Sequence, residues 1–146
     1  MAAIAGIAAE AGFAAAYWPA LSPRIPTHFG ADGLPDAWGS KSGILVIGLI
    51  GVALSLSMFV LRWYPHIYNY PVVLTEENIR TQYRLARSLV GWMSADIAWI
   101  FAYIEWSIIQ IALGRMDGLG SFFTPLVLFS TLGATAYYLY RAYRAR

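Results

Sequence analysis

Two segments of this chain are long enough to cross a membrane as helices and carry no charged side chain. They are Ser42 to Leu61 and Ser121 to Tyr140. A helix needs about 20 mostly apolar residues to cross the hydrocarbon core of a bilayer, so each segment predicts a membrane span. Of all residues, 59% are hydrophobic and 12% are charged, whereas an average soluble domain has about 25% charged residues. We therefore predict an all-α membrane protein.

Two further segments are long enough to cross but contain polar groups. Residues 89–113 include Asp96, Glu105 and Gln110, and residues 1–21 include Glu10. A cleaved signal peptide is the alternative for the first segment, because small residues at 14–16 resemble a cleavage site. Its amino end has no Lys or Arg and a carboxylate interrupts it, which favours a retained span. The prediction is one domain, 1–146, with transmembrane helices at 1–21, 42–61, 89–113 and 121–140.

The arginines are distributed unevenly between the predicted connections. Most of them lie in the second connection or the C-terminal tail, namely Arg62, Arg80, Arg84, Arg87, Arg141, Arg144 and Arg146. Segments on the cytoplasmic side are enriched in Lys and Arg. This predicts a multi-pass protein of the bacterial cytoplasmic membrane, with both termini cytoplasmic and residues 22–41 forming an extracytoplasmic loop.

The second connection predicts a cytoplasmic helical extension of the third span. Thr75 is a suitable N-cap, and no Pro or Gly interrupts the sequence from there to residue 90, so we expect the helix to start at Glu76. Arg80, Arg84 and Arg87 then form a basic face that suits anionic lipid headgroups. The simpler interpretation is a solvated face that only sets topology. The partners we expect are the bilayer, a membrane protein or peptide, and a second copy of the chain, but no nucleic acid.

The loop 22–41 is rich in residues that restrict the backbone to turns. Within it His28, Asp32 and Asp36 recur every four residues, but the intervening Gly and Pro exclude a helix that would align them. We favour a structural loop in which these side chains bond backbone groups. A metal site made by loop folding is the alternative, since His and carboxylates are normal ligands. No other cofactor is predicted.

The segment "IPTHFGADGLPDAWGSK" resembles the signature of the SdpI-like bacterial membrane proteins and of the small domain of unknown function that accompanies them. The resemblance covers about the first 60 residues. The matching positions are Pro26, His28, Phe29, Gly33, Pro35, Asp36, Gly39, Ser40 and Lys41. The best-understood members are immunity proteins that protect a cell from a secreted toxin and relay its presence to a cytoplasmic repressor. The resemblance therefore implies a sensor or immunity role, with the loop as the family signature.

Polar groups inside the predicted spans form the second candidate site. Glu10, Asp96, Glu105 and Gln110 lie at membrane depth, where a carboxylate usually faces a bundle interior, a cavity or a partner. We therefore expect Asp96 and Glu105, on roughly opposite faces of one helix, to be buried against protein. We favour interhelical hydrogen bonding as their role over binding of a proton or cation.

Three functions follow from these features. The first is a non-enzymatic sensor, immunity or accessory protein whose outer loop meets a ligand or partner. The second is a small membrane enzyme or ion-coupled transporter that uses the intramembrane carboxylates or a loop metal. The third is an accessory subunit of a larger membrane complex. No nucleophile–base pair, phosphate loop or HExxH pattern is present, so we predict no catalytic residues and favour the first function.

Overall fold

The computed structural model describes residues 1–146 and is mostly helical. Its elements are α1 (Ala2–Tyr17), β1 (Arg24–Phe29), β2 (Pro35–Ser40), α2 (Gly43–Leu61), α3 (Ile79–Ala112) and α4 (Phe123–Arg144). The four helices correspond to the four predicted spans. Two of them, α2 and α3, are long and apolar enough to cross a membrane. These two helices are what suggests a membrane protein.

Three details differ from the sequence prediction. The chain is not all-α, because residues 22–41 contain a two-stranded antiparallel sheet. The first helix ends at Tyr17, where a single turn of 3₁₀ helix over Trp18–Ala20 takes over. Pro19 lies in that turn and cannot donate a backbone hydrogen bond, which explains why the α-helix stops there.

The third helix starts at Ile79, three residues later than predicted. Thr75 and Asn78 cap its entry reciprocally, since Thr75 N–H donates to Asn78 Oδ1 at 2.9 Å and Asn78 N–H donates to Thr75 Oγ1 at 3.3 Å. This resembles a capping box with Asn in the position usually held by Glu or Gln. From Ile79 the helix runs without a break for 34 residues, about 51 Å at 1.5 Å per residue. The predicted continuity of the second connection with the third span is therefore confirmed.

The long helix α3 is the centre of the bundle, and the other three helices pack around it. α1 and α2 pack mainly against α3 and less against each other, while α4 contacts α3 on another side. Two glycines permit the closest approaches. A Cβ on Gly6 would lie 2.8 Å from the Cβ of Ala98, and a Cβ on Gly51 would lie 2.6 Å from the Cβ of Phe101. Any larger residue at either position would push the helices apart.

The chain reverses direction between successive helices, so its connections sort to two ends. Gln82 near the start of α3 donates from Nε2 to the carbonyls of Ala142 and Ala145 at 3.0 and 3.1 Å. This places the tail beside the second connection. At the other end, Leu119 N–H donates to the Gly33 carbonyl at 2.9 Å, which joins the third connection to the strands. The arginine-rich segments therefore share one end of the bundle.

The apolar core lies at the end of the bundle that carries the strands. Its fully or nearly fully buried members are Leu21, Ile25, Ile44, Ile108 and Ile109, contributed by the loop, β1, α2 and α3. Because burial of each such side chain stabilises by about 1.5–3 kcal/mol, this cluster fixes the strands onto the helices. The loop is therefore part of the folded core.

Replacing Gly51 by Ala tests the close packing of α2 on α3. The added methyl group would overlap the Phe101 side chain, and such overpacking costs about 1–3 kcal/mol. Gly12→Ala is the matched control, because nothing lies within 4 Å of its added Cβ and Ala is the better helix former by up to about 1 kcal/mol. In detergent, Gly51→Ala should unfold at a lower temperature than the parent and Gly12→Ala at an equal or higher one. Equal behaviour of the two variants would contradict this packing.

Candidate functional site

The strands β1 and β2 form a hairpin closed by the five-residue loop Gly30 to Leu34. Gly30 N–H donates to the Leu34 carbonyl at 2.9 Å, and Asp32 Oδ1 accepts from Leu34 N–H at 3.0 Å. Gly33 has φ 77°, a left-handed conformation that glycine adopts without strain. Asp-Gly between two short strands is a known hairpin signal, and sequence reasoning missed it here.

Two irregularities in the hairpin register position its polar side chains. The paired residues are Pro26 with Trp38, then His28 with Ala37, then Phe29 with Pro35. Thr27 and Asp36 are consequently left without a partner, one on each strand. Such bulges re-aim neighbouring side chains.

The side chains of His28 and Asp36 meet across the hairpin. Nδ1 of His28 donates to Oδ1 of Asp36 at 2.6 Å, with 70% and 51% of the side chains exposed. The expectation that they bond backbone groups was therefore wrong for His28 and Asp36 and correct for Asp32. The chain has no group of three or more His, Cys, Asp or Glu side chains arranged to hold a metal ion. The carboxylate fixes the imidazole so that Nε2 is the ring nitrogen left for a ligand.

The other signature residues attach the hairpin to the bundle. Pro26 is buried, and Phe29 packs on the apolar core. A Cβ on Gly39 would lie 2.8 Å from Cγ2 of Thr27, so a larger residue here would displace the Thr27 side chain. Lys41 N–H donates to the Pro23 carbonyl at 3.0 Å, and its Nζ lies 4.8 Å from the centre of the Trp18 ring. The signature is thus divided between anchoring residues and an exposed polar pair.

The bundle interior brings together Glu10 of α1 and Glu105 of α3, which lie far apart in sequence. Their exposed fractions are 2% and 1%. Both carboxylate oxygens of Glu10 and Oε2 of Glu105 are buried without a hydrogen-bond partner. A Cβ on Gly51 would lie 2.8 Å from Glu10 Oε2, and a Cβ on Gly48 would lie 3.7 Å from Glu105 Oε1. The two glycines of α2 therefore leave the space that the carboxyl groups occupy.

Comparison with known proteins adds one assignment to this geometry. Residues 5–52 match the family described as Domain of unknown function (DUF1648). This segment is a DUF1648 domain. Neither a curated protein nor a solved structure matches the chain.

The DUF1648 domain contains the whole hairpin site and part of the buried carboxyl site. It includes the whole hairpin and Glu10, together with both glycines that face the carboxyl groups. It excludes Glu105, which α3 supplies from outside the matched segment. The buried carboxyl pair is therefore shared between the domain and the helix that follows it.

The remaining polar groups of α3 make defined contacts outside the DUF1648 domain. Ser130 and Thr131 of α4 donate from their hydroxyls to the Asp96 carboxylate at 2.5 and 2.9 Å. Asp96 therefore faces α4, whereas Glu105 faces α1 and α2. Glu105 is buried as predicted, whereas Asp96 is half-buried against α4. Interhelical hydrogen bonding, the role that we favoured, is found at Asp96 but was wrong for Glu10 and Glu105, whose buried carboxylate oxygens have no partner. Gln110 is also buried.

The predicted basic face of α3 lies at the end opposite the hairpin. Arg80 and Arg84 are exposed and Arg87 is half-buried. The structure adds Arg62, which directly follows α2 and lines the same pocket as these three side chains. Sequence reasoning missed Arg62 as a member of this group, because only the folding of the second connection brings it there.

Glu105→Gln tests whether the carboxylate itself holds the bundle together. Burial of a carboxyl group without a polar partner is unfavourable, and the amide keeps its shape without its charge. We expect the unfolding temperature in detergent to equal or exceed that of the parent protein. Glu77→Gln, at an exposed position before α3, is the control and should have no effect. A clear loss of stability in Glu105→Gln alone would show that the carboxylate stabilises the helix packing.

Proposed function

We propose that this chain is a small non-enzymatic integral membrane protein of the sensor, immunity or accessory type, and that its hairpin is the surface for a ligand or partner. The observation that carries the proposal is that the hairpin residues lie in two different environments. One set of these residues is buried in the core, whereas the pair formed by His28 and Asp36 is joined across the two strands and faces outward.

The chemistry around this pair suits a peptide or protein segment. Leu34 and Trp38 are 49% and 44% exposed, so the hairpin presents both apolar side chains and a hydrogen-bonding pair. Aromatic side chains with a nearby polar contact are typical anchors of protein recognition. The likeness of the hairpin sequence to the SdpI-like signature also supports an immunity or sensing role.

We further propose that all four helices cross a bacterial cytoplasmic membrane, with both termini cytoplasmic and the hairpin outside. The grouping of the arginine-rich segments at one end of the bundle supports this, since that end would then follow the positive-inside rule. α1 is short, with 16 residues, or about 24 Å at 1.5 Å per residue. The turn at Trp18–Ala20 extends it toward the outer surface.

A second candidate function is the handling of a proton or a cation by the Glu10 and Glu105 carboxyl groups. The observation that favours it is the presence of three buried oxygens without a protein partner, facing two glycines. Intramembrane carboxylates with this environment commonly belong to ion or proton pathways. Loss of biological activity in Glu105→Gln with full stability would favour this candidate over the hairpin.

Photo-crosslinking from the hairpin tests the first candidate. A photoreactive amino acid in place of Trp38 should capture a peptide or protein in intact cells, and one in place of Val73, which is 83% exposed at the other end, should not capture the same species. His28→Ala should abolish the crosslink at 38 while the unfolding temperature changes little, because exposed ion pairs contribute about 1 kcal/mol or less. Unchanged capture in His28→Ala and in Asp36→Ala would contradict a role for the pair.

Cysteine labelling tests the topology, and the natural absence of cysteine leaves no background. Ser40→Cys in the hairpin should react with a membrane-impermeant thiol reagent in intact cells, because we place it outside. Arg146→Cys at the exposed carboxyl end should react only after the cells are permeabilised. Both residues are exposed in the fold, so the reverse labelling pattern would mean that the orientation is inverted.

A further inference from the structure

Four arginines line one pocket at the end of the bundle opposite the hairpin. Arg80, Arg84 and Arg87 are spaced by four and three residues and so share one face of α3. Arg62 reaches the same pocket from the end of α2. The other lining residues are Pro65, Tyr83 and Ser88. The cavity measures about 500 Å³, which is large enough for a small charged group.

The pocket contains no acidic side chain to balance these charges. None of its lining residues is Asp or Glu, and the one ion pair of the chain joins His28 to Asp36 at the other end of the bundle. The neighbouring Tyr68 does not supply a negative charge, because burial raises the pKa of its phenol, although the charges of Arg87 and Arg62 lower it in part. Like charges gathered without a counter-charge repel one another, which favours binding of an anion.

Aromatic and backbone contacts hold two of the guanidinium groups in place. The Arg87 guanidinium lies 5.3 Å from the centre of the Trp63 ring, and that of Arg62 lies 5.7 Å from the Phe59 ring. The guanidinium group of Arg62 lies against Gly91, because a Cβ added to Gly91 would lie 3.5 Å from Cζ of Arg62. Nε of Arg62 is buried and has no hydrogen-bond partner. Neither aromatic contact is a hydrogen bond, so the guanidinium N–H groups remain available to a ligand.

We propose that this pocket binds a phosphate group. The planar fork of arginine matches phosphate oxygens in a bidentate manner, and several such groups around one cavity suit a tetrahedral anion. A phospholipid headgroup and a soluble phosphate share this chemistry. The location favours the headgroup, because exposed Trp63 and Tyr64 come directly after Arg62, and Trp and Tyr prefer the interface between lipid and water.

The test uses the purified full chain in an uncharged detergent and two probes. Phosphatidylglycerol in mixed micelles tests the headgroup, with phosphatidylcholine as the reference lipid, and inorganic phosphate tests a soluble source. Binding is followed by the rise in unfolding temperature as the probe is titrated. Phosphatidylglycerol should stabilise the parent protein more than phosphatidylcholine at equal concentration, since only what binds the folded state stabilises it.

Two double variants distinguish binding in the pocket from an attraction of the anionic lipid that depends only on net charge. The double variant Arg80→Gln with Arg84→Gln removes two exposed pocket arginines, and Arg141→Gln with Arg144→Gln removes the same charge from the tail. The pocket variant should bind phosphatidylglycerol roughly tenfold or more weakly for each arginine lost, because charge-assisted hydrogen bonds contribute that much. The tail variant should bind like the parent. Arg84→Lys, which keeps the charge but loses the fork, should lie between the two.

Each result decides the proposal. Response to inorganic phosphate alone, lost in the pocket variant, would support the phosphate site and identify a soluble ligand as its occupant. Equal weakening in the pocket and tail variants would overturn the proposal, because binding would then depend on net charge alone. No response of the parent protein to either probe would overturn it as well.

Discussion

The close approach of α1 and α2 to α3 is the contact on which the rest of this structure depends. Gly6 lies against Ala98 and Gly51 against Phe101, at separations that no side chain beyond hydrogen permits. Phe101 reaches α2 only because Gly51 has no side chain. Small and polar groups lie in the middle of the bundle, including Ser55 and Ser94, whose hydroxyls each donate to the other's carbonyl at 2.8 Å. The buried large apolar side chains collect under the hairpin.

The helices could be predicted from sequence because their signal is local. Long apolar runs predict helices wherever they occur, and α2 begins and ends within one residue of its predicted bounds. Length and hydropathy together decide membrane crossing: α1 has only 16 residues, and α4 contains several polar residues, so α2 and α3 alone are both long and apolar enough. Spacings of three and four residues place one set of aromatic and polar residues of α3 on the same helix face, namely Trp92, Asp96, Trp99, Tyr103, Trp106 and Gln110. The ring centres of Tyr103 and Phe123 lie 5.2 Å apart, so part of this face meets α4.

The contents of the candidate sites were less predictable, because they depend on how segments align with one another. Asp32–Gly33 gave a local signal for the hairpin, but the two bulges that join His28 to Asp36 have none. The pairing of Glu10 with Glu105 depends on the relative heights of two helices, which sequence periodicity does not fix. Arg62 is separated from the basic face of α3 by a connection whose path follows from tertiary contacts.

The boundaries of the DUF1648 domain have a consequence for its independence. The matched segment stops at residue 52, part-way along α2, and its two helices contact α3 more than they contact each other. On its own it would leave Glu10 and the apolar base of the hairpin uncovered. The matched segment is therefore not a closed unit, because α3 forms the other side of its interior. In this chain, residues 5–52 and α3 therefore share one interior.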